Sequence, residues 1–362
     1  EGMRFLAIVN PLCIGEGTAA LVEQIRTIAV DCYEAMGVAG QKVCSFGVME
    51  YPGPGWKPED LLENIISLIR VAKQENSLSY VDYSEESVRP IRRVSNMIMA
   101  LRQDVDHNME HFRIVVQPVV SAETGRPKGG EVLIRWRFED QNVSPAVFIP
   151  ILEKEKLIHE VGRWVFEQAV CTCVRLRAYD PNFYLTFNVS LQQLSDPLLM
   201  PEMEKILQKY GLCGGGLVAE LTESCLDEEP EKLLDFVGAC QNLGMRIALD
   251  DFGSGYSSLR MLLQYPSSII KLDRSLVMEA TESEAKMNFI RSIVYACHQF
   301  GKTVCMEGVE RADENEMIRN TGCDLIQGYY YYRPMELSDV YRLISRSDEQ
   351  TEEGGDAHGA EI

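Results

Sequence analysis

Residues 245–255 read MRIALDDFGSG, an apolar run that ends in two neighbouring carboxylates and a glycine-rich turn. Side chains that are neighbours in a regular strand point to opposite faces, so Asp250 and Asp251 could not both face one site there. At the end of a strand the alternation is released, and Gly253 and Gly255 allow the chain to turn. We therefore expect Asp250 to finish the strand facing inward, with Asp251 where the chain leaves it.

Short apolar runs followed by helical segments recur along the chain from residue 111 onward. Eight candidate strands have this character: 112–120, 130–136, 183–190, 217–223, 245–251, 268–273, 302–308 and 324–330. Helical segments such as PEKLLDFVGACQNLG (230–244) open with Pro and close with Gly. This alternation predicts an α/β fold, a TIM-like (β/α)8 barrel. Only SAETGRPKG (121–129) separates the first two strands, which predicts a hairpin and one antiparallel strand.

The remaining segments predict further parts of the chain. Residues 1–83 read as a small α/β unit, with strands in FLAIVN (5–10), KVCSFGVMEY (42–51) and SYVDYS (79–84), and helices at about 18–36 and 58–74. Residues 84–110 have helical periodicity and predict a connecting helix before a barrel at 111–345. We assign 346–362 to a disordered tail, because residues 347–362 contain six acidic residues and no Lys or Arg.

The bulk composition of the 362 residues describes a globular protein. With 46% hydrophobic residues it can build a large core, and its net charge of −20 argues against binding nucleic-acid polymers or an anionic membrane surface. No apolar stretch approaches the roughly 20 residues that span a bilayer. Eleven cysteines without a CxxC pair indicate reduced thiols. We expect a cytoplasmic location, although the first residue is Glu and a membrane anchor could precede it.

Polar residues stand at or near the C-terminal ends of six consecutive candidate strands: Asn188, Glu220, Asp250, Asp251, Lys271, Asp273, Glu307 and Gln327. One such residue is usually a turn former or a helix cap, but a whole series at the rim where barrel enzymes build their sites indicates function. Carboxylates with one amide, and no His or Cys, suit Mg²⁺ or Mn²⁺ rather than Zn²⁺. Five or so acids balance two ions better than one, and two bridged ions suit phosphodiester hydrolysis.

Two further groups near the rim follow from strand alternation. Lys271 shares a face with Asp273 and should stay protonated beside so many acids. It could orient a water molecule, or equally form a structural ion pair with Asp273 or Glu223. Glu131 and Arg135 share the inner face of the second strand, which places Arg135 to contact a phosphate in bidentate fashion.

Seven motifs occur in order along the chain: EVLIRW, FNVS, ELTES, DDFGSGYSSL, IIKLDRSLV, MEGVE and QGYYYYRPM. They give the chain a close resemblance to the EAL domain, a bacterial phosphodiesterase that hydrolyses cyclic di-GMP to linear pGpG. The resemblance implies two ions, Mg²⁺ or Mn²⁺, bound by Glu131, Asn188, Glu220, Asp250, Asp251 and Glu307. It implies catalytic roles for Lys271, Glu307, Glu223 and Asp273. It also implies that the dinucleotide site is formed or supported by Arg135, Gln117, Gln327 and Glu310.

The chain also departs from the EAL pattern in places. Val132 replaces the usual Ala of the signature, and Met306 replaces the Ala before the Glu-Gly-Val-Glu stretch. Strand alternation turns both side chains away from the site. Gln192 stands where many relatives carry Arg, which could weaken substrate binding. Homodimers through the EAL domain are expected from the resemblance alone.

The N-terminal segment resembles the second half of a GGDEF domain, the diguanylate cyclase fold. The chain begins with EGMRF at the signature position, and Met3 and Arg4 replace the two acids of that signature. On this resemblance cyclase activity is absent, the first half of the domain lies upstream, and the unit is regulatory, dimerising or incomplete.

Three hypotheses of different classes are open at this point. The leading one is an active cyclic di-GMP phosphodiesterase. The second is a nonhydrolysing cyclic di-GMP receptor that acts through a partner protein. The third is a metal-dependent barrel lyase or racemase that uses Lys271 as a base on a carbon acid.

Overall fold

A computed structural model describes residues 6–9, 17–35, 45–49, 60–74, 80–222, 230–253, 262–280 and 283–353. The chain divides into two compact units, Glu1–Ala100 and Leu101–Ile362. The division falls inside one continuous helix, so the end of that helix belongs to the larger unit.

The first unit contains α1 (Thr18–Ala35), β1 (Phe46–Val48), α2 (Asp60–Gln74), β2 (Tyr80–Asp82) and most of α3 (Glu85–Asp106). The two short strands pair in parallel, and the core holds Leu68, Val71, Ala72, Val81 and Val88. The expected helices are therefore present. Within the predicted strand at 5–10, however, the described residues 6–9 have no regular structure.

The second unit is a closed barrel of eight strands. Its strands, with the additional short strand β5, are β3 (Phe112–Ser121), β4 (Pro127–Phe138), β5 (Gln141–Val143), β6 (Tyr184–Asn188), β7 (Leu217–Thr222), β8 (Arg246–Phe252), β9 (Ile269–Leu272), β10 (Thr303–Met306) and β11 (Leu325–Ile326). The order is β3-β11-β10-β9-β8-β7-β6-β4, and β3 pairs with β4 to close the ring. Only β3 runs antiparallel to its barrel neighbours, which confirms the predicted barrel and its antiparallel strand. The sequence pattern did not predict β5, which pairs with the end of β4.

Helices cover the outside of the barrel. They are α4 (Pro145–Lys154), α5 (Ile158–Arg177), α6 (Leu199–Tyr210), α7 (Pro230–Asn242), α8 (Arg274–Ala280), α9 (Glu284–Gln299), α10 (Ala312–Arg319) and α11 (Leu337–Glu353). Gly211 ends α6 in a left-handed conformation, and Ser283 caps α9 by accepting from the Lys286 N–H. The last helix continues into the segment assigned to a disordered tail. No helix in the described ranges is long and apolar enough to cross a membrane.

The core of the barrel unit lies in two layers. One layer fills the space between strands and helices, and both Val132 and Met306 pack there, so they face away from the barrel interior as predicted. The other lies inside the barrel and contains Val119, Tyr184, Val218, Ala248, Ile269, Cys305 and Leu325. Most members of this inner layer stand two residues before a predicted rim residue, so the apolar layer and the rim share the inward face.

Candidate active site

Closure of the barrel brings the predicted rim residues from separate strands into one cluster. Asn188 and Glu220 are direct register partners on β6 and β7, and Glu131 on β4 is the register partner of Gln117 on β3. Six of the polar side chains are buried: Gln117, Glu131, Glu220, Asp250, Lys271 and Gln327. Burial of so many polar groups requires mutual compensation, which defines the geometry of the site.

Lys271 is the centre of the cluster, and its ammonium group is only 3% exposed. Lys271 Nζ lies 2.7 Å from Glu307 Oε1 and 2.8 Å from Glu220 Oε1. It also lies 3.3 Å from Asp250 Oδ1 and 3.5 Å from Glu131 Oε2. Lys271 therefore pairs with four carboxylates of the inner rim rather than with Asp273, while its other predicted partner, Glu223, lies outside the described residues.

Both carboxylate oxygens of Glu131 are fixed by amide donors. Asn188 Nδ2 donates to Oε1 at 2.9 Å, and Gln327 Nε2 donates to Oε2 at 2.8 Å. The Gln327 amide also approaches Gln117 Oε1 at 3.3 Å, and Gln117 Nε2 donates to the Tyr332 carbonyl at 3.1 Å. In this arrangement Gln117 and Gln327 brace Glu131.

The charges of the cluster shift the pKa values in opposite directions. Burial alone would raise the pKa of Glu131, but the Lys271 charge and the amide hydrogen bonds outweigh it, so this pKa lies below its usual value. Burial would lower the pKa of Lys271, yet the surrounding carboxylates raise it well above its usual value. The expectation of a protonated Lys271 agrees with this direction.

One ammonium group cannot balance four carboxylates, and the pKa values of Glu220 and Glu307 show the effect. Burial, and next the Glu131 charge, raises the pKa of Glu220 well above its usual value. Burial raises the pKa of Glu307 to about 8 against the opposing charge of Lys271. Neither oxygen of Glu220 makes a hydrogen bond of good geometry, and Glu307 Oε1 likewise lacks one despite the close ammonium group. Four carboxylates around one ammonium group leave room, in charge and in acceptor capacity, for further cations.

The neighbouring carboxylates of β8 are accommodated by a β-bulge. The pairing with β9 passes from Leu249↔Ile270 to Phe252↔Leu272, so β8 contains one extra residue between these points. Asp251 has a left-handed φ of 55°, and its N–H donates to Asp250 Oδ1 at 3.0 Å. The expectation that the strand ends at Asp250 is therefore wrong. The strand continues to Phe252, and the alternation of its side chains between the two faces is interrupted at the bulge. Burial, followed by the charges of Asp250 and Asp273, raises the pKa of Asp251.

Three other predicted residues lie around this cluster in different roles. Asp273 accepts the Ser275 N–H at 2.9 Å at the start of α8. Glu310 forms an ion pair with Arg274, one residue after Asp273, in a more exposed position. Half-buried Arg135 donates to the Ile134 carbonyl at 2.9 Å, and burial, followed by the charge of Arg113, lowers its pKa.

The structure adds cationic and aromatic groups that the sequence reasoning missed. Arg113 is the register partner of Arg135, and it could have been found because it shares the strand face of Gln117. The Arg333 guanidinium lies 4.3 Å from the centroid of the Tyr329 ring, in the segment after Gln327. This pair had no signal in strand periodicity, because the segment is irregular.

Residues 99–334 match the EAL domain family. The chain belongs to this family. A cyclic di-GMP phosphodiesterase of Pseudomonas aeruginosa is 30% identical to it over 278 residues, which cover 76% of this chain and 47% of that protein. This chain spans only about a third to a half of the length of the curated relatives it matches.

Solved structures with the same fold include two complexes with cyclic di-GMP. The PaMucR phosphodiesterase complex is 28% identical with a TM-score of 0.61, covering 67% of this chain and 99% of that one. The EAL enzyme Bd1971, in a form bound to cAMP and cyclic di-GMP, is 25% identical with a TM-score of 0.65, covering 80% and 77%.

Proposed function

We propose that the barrel is a phosphodiesterase that hydrolyses cyclic di-GMP to linear pGpG with two divalent cations, Mg²⁺ or Mn²⁺. The observation that carries the proposal is the convergence of four carboxylates on one buried ammonium group at the rim of an EAL domain. The names of relatives and structural neighbours that act on or bind cyclic di-GMP support this substrate.

The donor set fits hard divalent cations in its chemistry. All the proposed ligands offer oxygen, and buried Glu220 oxygens lack hydrogen bonds of good geometry. Among the described residues, no three Asp, Glu, His or Cys side chains are arranged to coordinate a metal ion. The carboxylates of the site point toward Lys271 instead. Ion binding would therefore require these side chains to turn away from Lys271. In the proposal, Glu131, Asn188, Glu220 and Asp250 would hold one ion, and Asp250, Asp251 and Glu307 the other.

The cations would polarise the phosphoryl oxygens and acidify a bound water. Glu307 is proposed to accept the proton of the attacking water, and Lys271, 2.7 Å from Glu307, to orient that water. As the water oxygen bonds to phosphorus, the bond to the ribose 3′-oxygen breaks and that oxygen takes up a proton from solvent, while the proton on Glu307 returns to solvent. The product has a 5′-phosphate and a 3′-hydroxyl, as linear pGpG requires.

Residues around the ion site are proposed to bind and orient the substrate. Arg135 would pair with a phosphate through its planar guanidinium, a role in which Lys could not replace it. Gln117 and Gln327 contribute by fixing Glu131 and are proposed to face the dinucleotide as well. Asp273 and Glu310 would act from the border of the site, the former beside Asp251 and the latter through Arg274. Glu223, outside the described residues, keeps its proposed role as a brace of the DDFGSG loop.

Hydrolysis of cyclic di-GMP by the whole chain tests this proposal. Linear pGpG should form with Mg²⁺ or Mn²⁺, and Glu131→Gln should lower kcat by about 10³-fold, since it removes the negative charge of a proposed ligand. Glu167→Gln is the matched control, because Glu167 also accepts from a Lys and a second donor, but on the outer helices α5 and α6.

The outcomes of this assay separate the hypotheses. Absence of linear product with either metal would contradict the proposal. Tight binding of cyclic di-GMP without turnover would favour the receptor that acts through a partner. Equal activity of the wild type and Glu131→Gln would mean that the activity comes from a contaminant.

We also propose that residues 1–83 form a degenerate, partial GGDEF-like unit that regulates the barrel and does not make cyclic di-GMP. The parallel strands β1 and β2 with α2 between them are compatible with such an α/β unit. A homodimer is proposed through the EAL domain. Phe289 in α9 and Phe300 directly after it expose apolar surface there. Incubation with GTP should yield no cyclic di-GMP or pGpG, and sedimentation should show a dimer. Formation of either dinucleotide would contradict the inactive GGDEF-like unit, and a monomer would contradict the proposed dimer.

A further inference from the structure

The last turn of α3 carries a buried carboxylate that bridges two side chains. Asp104 is 5% exposed, and its Oδ2 accepts the Trp136 indole N–H at 2.7 Å. Its Oδ1 lies 2.5 Å from His111 Nδ1. The Asp104 carbonyl accepts the Met109 N–H at 2.8 Å, which fixes the loop that follows the helix. Both oxygens of this carboxylate are thus committed to the barrel unit.

The two partners of Asp104 belong to neighbouring strands at the end of the barrel that carries the candidate site. His111 immediately precedes β3, and Trp136 lies near the end of β4. Phe112 and Trp136 are register partners whose rings stack with centroids 6.1 Å apart. One carboxylate therefore fastens the start of β3 to the end of β4.

The next register pair along these strands is Arg113 and Arg135. Like charges placed directly opposite each other destabilise a pair of strands. Arg135 is half-buried, which limits how far its side chain can swing into solvent to reduce this repulsion. The position of Arg135 consequently depends on how firmly the neighbouring pair, Phe112 and Trp136, is held.

We propose that Asp104 is a positioning residue for Arg135, acting through Trp136 and the paired ends of β3 and β4. The inference deepens the proposed function, because Arg135 is the residue proposed to pair with a substrate phosphate. Arg102, two residues earlier, adds a second attachment of the same helical turn through its 2.6 Å ion pair with Glu155. Any change at the end of α3 is then transmitted to the substrate-binding arginine by one side-chain contact and one peptide bond.

Asp324 provides a matched control at the opposite end of the barrel. Its Oδ2 also bridges a histidine, His298 Nε2 at 2.9 Å, and a second donor, the Val304 N–H at 2.7 Å. Asp324 precedes β11 and Val304 lies in β10, so this carboxylate also connects strand ends. It differs from Asp104 in being exposed and in lying far along the strands from the rim.

Amide hydrogen exchange tests the structural part without reference to any activity. Asp104→Ala in the whole chain should speed exchange of the Phe112 and Arg137 amides by about tenfold or more, since their bonds to the Met109 and His111 carbonyls close this junction. Asp324→Ala should leave these amides unchanged and affect β10 instead. Unchanged exchange at both amides in Asp104→Ala would overturn the proposal even if the chain hydrolyses no dinucleotide.

Steady-state kinetics test the link to Arg135. Asp104→Ala should raise KM for cyclic di-GMP about fivefold or more and leave kcat within about twofold, because loss of an oriented binding group weakens binding. Trp136→Phe keeps a ring but lacks the N–H, so it should raise KM in the same direction. Asp104→Asn retains an acceptor for Trp136 and should restore KM to near the wild-type value.

The kinetic outcomes distinguish this inference from the proposed function. A wild type that neither binds nor hydrolyses cyclic di-GMP would contradict the proposed function. The exchange experiment would still test whether Asp104 holds the ends of β3 and β4 together. An active wild type whose KM is unchanged by Asp104→Ala, or equally raised by Asp324→Ala, would overturn the positioning role.

Discussion

The two ends of the barrel interior are built on the same strands but from opposite chemistry. At one end, seven mostly apolar side chains, including Tyr184, fill the interior. At the other end, four carboxylates surround Lys271. The change takes only two positions along a strand, as from Ile269 to Lys271 in β9 or from Ala248 to Asp250 in β8. A step of two keeps the strand face and advances about 7 Å, which suffices to pass from a packed core to a polar site.

The difference teaches how the barrel divides stability from chemistry. The apolar end gains free energy from burial and close packing, whereas the charged end buries groups whose desolvation is costly even when they are paired. Tyr184 closes the apolar end, and its ring stands so close to Gly129 that a Cβ there would lie 2.5 Å from it. The charged end can therefore remain electrostatically unbalanced without unfolding the barrel.

The sharpest way to break this comparison is to remove one lysine from each end. Lys271→Met should reduce hydrolysis of cyclic di-GMP by about 10³-fold or more, because the proposed water-orienting ammonium group is lost. Lys302 immediately precedes β10 at the apolar end, and its Nζ donates to the Ser267 carbonyl. Lys302→Met should leave kcat within about twofold, as measured in the same assay; an equal loss in both variants would show that activity follows stability.

Metal removal tests whether Lys271 neutralises the charged end. In EDTA at neutral pH the wild type should remain folded, because the ammonium group pairs with four carboxylates. Lys271→Met should lose about 3 kcal/mol or more under the same conditions, as expected when one partner of a buried ion pair is removed. Urea unfolding with and without Mg²⁺ measures this; a variant as stable as the wild type in EDTA would contradict it.

The apolar end should respond in the opposite way to truncation. Ile269→Ala, two residues before Lys271, should cost about 2 to 4 kcal/mol of unfolding free energy, because a buried side chain leaves a cavity. At a temperature where the variant is folded, its KM and kcat should stay within about twofold of the wild type. Urea unfolding and steady-state kinetics on one preparation check both statements. A large kinetic effect without a stability loss would contradict the division.

The smallest effect is expected where a cation covers the apolar end. The guanidinium of Arg246 lies 4.8 Å from the centroid of the Tyr184 ring. Arg246→Ala should cost about 1 kcal/mol of unfolding free energy by loss of this contact, with no change in hydrolysis. Arg246→Lys should recover part of the loss. A destabilisation as large as that of Ile269→Ala would show that Arg246 does more than cover the ring.

The sequence was sufficient to predict the barrel because its strands and helices alternate at regular spacing. The antiparallel β3 followed from a short connection, and the rim residues followed from their places at strand ends. The strand β5 was missed because it is only three residues long and follows a turn with left-handed Glu139 and Asp140. Such a turn depends on the pairing that it closes, which local composition does not report.

The partners of Lys271 were out of reach of sequence reasoning for a different reason. Its contact with Glu131 joins residues 140 positions apart, and the sequence pattern placed Lys271 among the rim acids without showing which of them it meets. Which carboxylate meets the ammonium group is decided by closure of the whole ring and the stagger of its strands. The bulge in β8 is similar, because one extra residue becomes visible only against the register of β9.

At Asp251 the needs of the backbone and of the chemistry diverge. A left-handed φ is comfortable for Gly and tolerable for Asn or Asp, but it excludes β-branched residues. Gly would relax the bulge and remove a carboxylate, whereas Asn would keep the conformation and lose a charge. Selection for heat tolerance alone would therefore tend to replace this aspartate, and variants improved in that way would lose a carboxylate proposed to bind a cation. Asp251 can serve as a marker of which pressure has acted on a laboratory lineage of this protein.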